Sequence, residues 1–103
     1  MNKEILQKAI EQYGEEAQQD MFIEESSELT KALLKYRRVM AEAEKHIHID
    51  YSTEVMLSLK EIESEIADVY ITLKQLVMMF DCGKEVEQQI EFKMKRLNKR
   101  LEG

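Results

Sequence analysis

Two pairs of carboxylates stand out in this chain by their position: Glu25 with Glu28, and Glu65 with Asp68. Acids three residues apart on a helix lie on one face and can share a cation. Glu25 and Glu28 each precede a residue of the buried stripe of their segment, Ser26 and Leu29, and Glu65 and Asp68 stand in the same relation to Ile66 and Val69. Both pairs therefore sit at the same angular offset, about 100° from that stripe. Side by side, two such helices bring four carboxylates to the edge of the core. Four ionised acids at close range repel one another, and a divalent cation relieves the repulsion. An all-oxygen donor set selects hard ions, so Mg2+, with Mn2+ as a substitute, is expected rather than Zn2+. A di-iron bundle would need Glu-x-x-His motifs, and neither His46 nor His48 stands in one. The competing reading of the same residues is a solvated acidic helix face.

The elements that must position these acids are helices. The 103 residues include no proline and only 3 glycines, which starves a β-sandwich or barrel of its turns, while 44% hydrophobic residues suffice for a core. The expected fold is all-α and four-helix bundle-like, one domain over residues 1–103, with two long central helices carrying the acidic motifs. A first helix is expected near Lys3–Tyr13, with Ile5, Leu6, Ala9, Ile10 and Tyr13 on one stripe and a stop at Gly14. The second runs from about Glu16 to Glu44, with Phe22, Ser26, Leu29, Leu33, Tyr36 and Met40 in register. His46–Ser52 breaks the pattern and reads as a loop, with Ser52 or Thr53 as the next N-cap. Val55, Leu59, Ile62, Ile66, Val69, Leu73, Leu76 and Phe80 then keep heptad spacing through the third helix. Asp81-Cys82-Gly83 ends it, with Gly83 suited to a left-handed cap. The last helix, near Lys84–Leu101, is expected to bury Val86, Ile90, Met94, Leu97 and Leu101. Apolar residues off the main stripes, Ile23 and Leu34 on the second helix and Ile71, Val77 and Met78 on the third, suggest self-association as a homodimer or homotetramer.

Charge and cysteine content set the context. A net charge of −6 disfavours a nucleic-acid backbone as partner. The single cysteine, Cys82, forms no internal disulfide, which fits a reducing compartment. No apolar run follows Met1-Asn2-Lys3-Glu4, so no signal peptide is expected, and no stretch is apolar enough to span a membrane. The expected location is cytoplasmic.

Ile23-Glu24-Glu25-Ser26-Ser27-Glu28-Leu29, followed by Ser64-Glu65-Ile66-Ala67-Asp68, resembles the E-E-x-x-E … E-x-x-D signature of MazG-like nucleotide pyrophosphohydrolases, members of the all-α NTP pyrophosphatase superfamily. The likeness extends to Tyr13-Gly14 and Gln18 before the first motif, to Leu33–Arg38 after it, and to a basic tail at Lys93–Arg100. Residues 29–64 make a longer spacer than is usual in that family, absorbed by an extended second helix and the His46–Ser52 loop. The resemblance implies hydrolysis of a nucleoside triphosphate between its α- and β-phosphates, giving the monophosphate and pyrophosphate. It implies Mg2+ held by Glu25, Glu28, Glu65 and Asp68, with Glu25 or Glu28 as a candidate general base.

Other candidates follow from charge and position. Lys93, Lys95, Arg96, Lys99 and Arg100 fall in an acid-free stretch and could bind the β- and γ-phosphates, in the same subunit or a second one; near a helix C-terminus they also complement its dipole. Gln18 shares the face of Glu25 and Glu28 and could contact base or sugar. Tyr13, Phe22 and Tyr36 could stack on a base, although their stripe positions mark them as core. Two further functions are compatible with the sequence: a phosphoribosyl-ATP pyrophosphatase-like activity, and a non-catalytic helical oligomer acting as a binding module.

Overall fold

The computed structural model describes all residues 1–103 and contains four helices and no strand: α1 (Lys3–Tyr13), α2 (Glu15–Lys45), α3 (Ser52–Phe80) and α4 (Gly83–Glu102). Helix α1 starts where the Asn2 carboxamide oxygen accepts from the backbone N–H groups of Glu4 (3.0 Å) and Ile5 (3.4 Å), an N-cap that satisfies two otherwise free donors. It stops at Gly14, whose φ of +94° is open to glycine and strained for other residues. Helix α2 begins at the next residue. The fold is the all-α arrangement expected from the sequence, with α2 and α3 as its long central pair.

Helices α2 and α3 form an antiparallel hairpin. Close approach is set by small residues, Ala32 at 3% and Ser58 at 1% exposure, and Lys35 Nζ bridges to Glu61 Oε2 at 3.2 Å across the pair. The loop between them caps α3 differently from the expectation. Ser52 is already the first helical residue, and the Asp50 carboxylate accepts from both its hydroxyl and its N–H. The N-cap residue is Tyr51, whose side chain makes no capping bond, and the carboxylate before it takes the first free N–H of the helix instead. Those two bonds, the hydroxyl contributing most, hold the Asp50 carboxyl below its ordinary range.

Two other expectations are corrected. The left-handed residue after α3 is Asp81 (φ 47°, ψ 47°), not Gly83, which is the first residue of α4. Aspartate is among the few residues that tolerate this region, so the turn forms one step earlier. Helix α4 buries nothing within the chain: Ile90, Met94, Leu97 and Leu101 are all exposed, and Val86 is half-buried. The helix touches only α3, near the turn that joins them.

The single-chain core is correspondingly thin. Leu6, Ile10 and Ala32 are its buried apolar residues; the other buried side chains are Gln18, Ser58, Thr72 and Gln75. On α3 the face toward α2 runs through Ser58, Thr72 and Gln75, so half of the heptad stripe, Leu59, Ile66, Leu73 and Phe80, looks outward. The radius of gyration is 18.3 Å, where a compact domain of this length would have about 13 Å.

Candidate metal centre

The antiparallel hairpin places the first half of α2 beside the second half of α3, so the two acidic motifs meet. Carboxylate oxygens of Glu25, Glu65 and Asp68 all lie within 4.8 Å of one another, and each of the three residues is half-buried. Separations of this size are those at which one cation can be shared. Burial, followed by the negative charges of Asp68 and Glu65, raises the Glu25 carboxyl above its ordinary value of 4.5, and the protonated form is further held by a hydrogen bond to Asp68. Glu65 Oε2 is sealed from solvent and has no hydrogen-bond partner. A buried carboxylate oxygen without a donor costs free energy that a coordinated cation would recover. The hydroxyl of Thr72, one turn beyond, donates to the carbonyl oxygens of Asp68 at 3.0 Å and Val69 at 3.2 Å, so it is satisfied by its own helix.

Glu28 is not part of the triad. Its Oε1 lies 3.4 Å from Lys31 Nζ on the same helix, at a half-buried position that opens onto a separate cleft.

A cleft of about 270 Å³ adjoins Glu25 and Asp68, formed where α1 crosses the hairpin; Leu6 and Met21 supply apolar wall, and Gln18 and Gln75 supply amides. These two glutamines are 7% and 3% exposed, yet neither side-chain amide is hydrogen-bonded within the chain. Their symmetry has a simple origin: Gln18 lies seven residues before Glu25 and Gln75 seven residues after Asp68, two turns each way along antiparallel helices.

The chain matches no family model, no curated protein and no solved structure.

The remaining candidates lie elsewhere. Lys93, Lys95, Arg96, Lys99 and Arg100 are exposed along α4, and none lines the clefts beside the acids. Lys95 pairs with Glu91 of its own helix at 3.5 Å, and the Arg96 guanidinium sits 5.8 Å above the Phe92 ring. Tyr13, expected in the core, is exposed because α1 turns that edge to solvent, while Phe22 and Tyr36 are half-buried. The largest hollow, about 510 Å³, lies at the loop end of the hairpin between Met40, Tyr51, Val55 and Leu59, and carries no cluster of metal-binding acids. Two sets of residues escaped the sequence reading. Gln75 was marked by its seven-residue step from Asp68. Lys31, Lys35 and Arg38 were marked by the acid-free stretch that follows Glu28.

Proposed function

We propose that this chain is a Mg2+-dependent nucleotide pyrophosphohydrolase of the MazG-like type, cleaving a nucleoside triphosphate to the monophosphate and pyrophosphate. The observation that carries the reading is the convergence of Glu25, Glu65 and Asp68, with Glu65 Oε2 buried and unpartnered. Three oxygen donors without nitrogen or sulfur suit Mg2+ or Mn2+. Glu25, Glu65 and Asp68 would hold the ion; when bound it supplies charge neutralisation for the phosphates and Lewis-acid activation of the α-phosphorus and the attacking water.

The chain's own groups account for the rest. A triphosphate would lie with its nucleoside in the cleft of Gln18 and Gln75, whose free amides offer both donors and acceptors to a base or sugar. Glu28 stands one turn from Glu25 and outside the triad, so its carboxylate is the one left to accept the proton of the attacking water. Water adds to the α-phosphorus, the bond to the bridging oxygen breaks, and pyrophosphate leaves with that electron pair.

The proposal includes self-association as a homodimer or dimer of dimers. Leu59, Ile66, Leu73 and Phe80 of α3 and Ile90, Met94, Leu97 and Leu101 of α4 form apolar surface that a second copy would cover. The cations Lys93, Lys95, Arg96, Lys99 and Arg100 enter the site only if a second copy supplies them. A free Cys82 goes with a reducing, cytoplasmic setting. No helix is long and apolar enough to cross a membrane.

The test is release of pyrophosphate from a panel of ribo- and deoxyribonucleoside triphosphates with Mg2+ or Mn2+. Release from at least one nucleotide, abolished in Glu65→Gln and Asp68→Asn, is expected. No release from any of them would overturn the hydrolase reading and favour a binding module.

A further inference from the structure

After Glu28, helix α2 carries no acid until Glu42, and within that stretch lie Lys31, Lys35, Arg37 and Arg38. Three of these cations, Lys31, Lys35 and Arg38, line a cleft of about 300 Å³ between α2 and α3 whose only acids are Glu28 and Glu61. Spacings of four and three residues put them on one helix face. Lys31 is tied to Glu28 at 3.4 Å and Lys35 to Glu61 at 3.2 Å, while the Arg38 guanidinium has no ion-pair partner. In a chain of net charge −6, a cleft with three cations against two acids is a local reversal of sign, and it opens beside Glu28, one turn along α2 from Glu25 of the triad.

Glu28 lines this cleft, and Glu25, one turn earlier, lines the cleft of Gln18 and Gln75. The triad thus lies between an amide-bearing, largely apolar hollow and a cationic one. Measured along α2 at 1.5 Å per residue, Lys31 is about 9 Å and Lys35 about 15 Å beyond Glu25. Lys31 Nζ reaches back along α2 to Glu28, while Lys35 Nζ crosses to Glu61, one turn before Glu65 on α3.

We infer that the cleft of Lys31, Lys35 and Arg38 binds the pyrophosphate end of the substrate, fixing its direction along the hairpin: nucleoside under α1, leaving group toward the loop. The inference rests on the hydrolase reading and adds to it the residues that hold the leaving group. As the bond between the α-phosphorus and the bridging oxygen breaks, the electron pair stays on that oxygen, and pyrophosphate gains a negative charge. Cations already in place stabilise that charge without rearrangement. Arginine adds a planar fork that grips two phosphate oxygens at once.

The probe is inorganic pyrophosphate, titrated calorimetrically into the full chain at saturating Mg2+, after Mg2+ has been titrated alone. Arg38→Gln and Lys35→Gln are each expected to weaken pyrophosphate binding about tenfold, in line with loss of a charge-assisted contact. Because Arg38 has no partner within the chain, its replacement should leave the fold intact, which a circular-dichroism melt checks. Lys60→Gln provides the control, since Lys60 is the neighbour of Glu61 but lines the hollow on the other side of the hairpin. Equal pyrophosphate affinity in all three variants, with Mg2+ still bound, would overturn this inference and leave the hydrolase reading standing. A wild type that binds no Mg2+ would overturn the hydrolase reading and this assignment together.

Discussion

Replacing Glu25 with glutamine should make the metal-free protein more stable at neutral pH while depriving it of its response to Mg2+. The oxygens of Glu25, Glu65 and Asp68 lie within 4.8 Å of one another. At that separation each ionised pair costs about 0.9 kcal/mol with the dielectric of water and about 3.5 kcal/mol at an effective value of 20. Glu25 opens onto a cleft while Glu65 Oε2 is sealed from solvent, so the lower figure is the floor, and relief from two neighbours amounts to at least about 2 kcal/mol. For a chain of this length that corresponds to a rise in Tm of about 10 °C. The sign with pH follows from the direction of the shift. Burial first, then Asp68 and Glu65, raise the folded-state pKa of Glu25 above 4.5, so the folded protein binds this proton more tightly than the unfolded one. The associated stability is present below the unfolded value and is lost as pH rises through the folded value. The gap in Tm between Glu25→Gln and wild type should therefore be widest near neutrality and close below pH 4.5. Melts followed by circular dichroism, in chelator and low salt at one protein concentration, measure it, with Glu63→Gln as an exposed acidic control. Should Glu25→Gln melt within a degree of Glu63→Gln at every pH, the three acids do not repel one another and the site dissolves.

Mg2+ at a hundredfold excess over its Kd should stabilise wild type by about 2.7 kcal/mol, a shift visible in the same melts; Asp68→Asn should lose most of it, and Glu28→Gln should keep most of it because Glu28 lies outside the triad. Light scattering should give a particle at least twice 12.2 kDa, and a monomer persisting across a wide concentration range would refute self-association. Asn2→Ala should cost about 1 kcal/mol through loss of the α1 cap, read as a lower unfolding midpoint in urea.

The helices were legible in the sequence because local signals agree with one another. Gly14 and the break at His46 bound α2 to within a residue of the expected ends, and the apolar spacing of α3 leaves no room for another element. Which face turns inward was less legible. Heptad spacing identified an apolar surface on α3, but periodicity is silent on whether a neighbour in the same chain or a second copy covers it. Leu59, Ile66, Leu73 and Phe80 face out, while Ser58, Thr72 and Gln75 of the same helix are the residues buried within the chain. The acids were found by their shared offset from the stripe, and three of the four do converge. Glu28 departs because a lysine three residues on competes for it, an interaction whose winner depends on rotamers rather than on spacing. Gln75 was overlooked because a glutamine inside an apolar run carries no chemistry until its partner across the hairpin is known.

A hairpin sealed by Ser58, Thr72, Gln75 and Ala32 has little hydrocarbon to expose when it melts alone. Heat-capacity increments track apolar area, and an ordinary domain of 100 residues shows about 1.2–1.5 kcal/mol/K. An isolated chain of this protein should fall well short of that figure and melt over a broad range. If a second copy covers the outer rows of α3 and α4, as proposed, the missing increment should appear in the step that separates the copies. Calorimetry would then record one sharp transition that moves to lower temperature on dilution. For such a protein, dilution acts as a denaturant, and the concentration at which it is kept is part of what holds it folded.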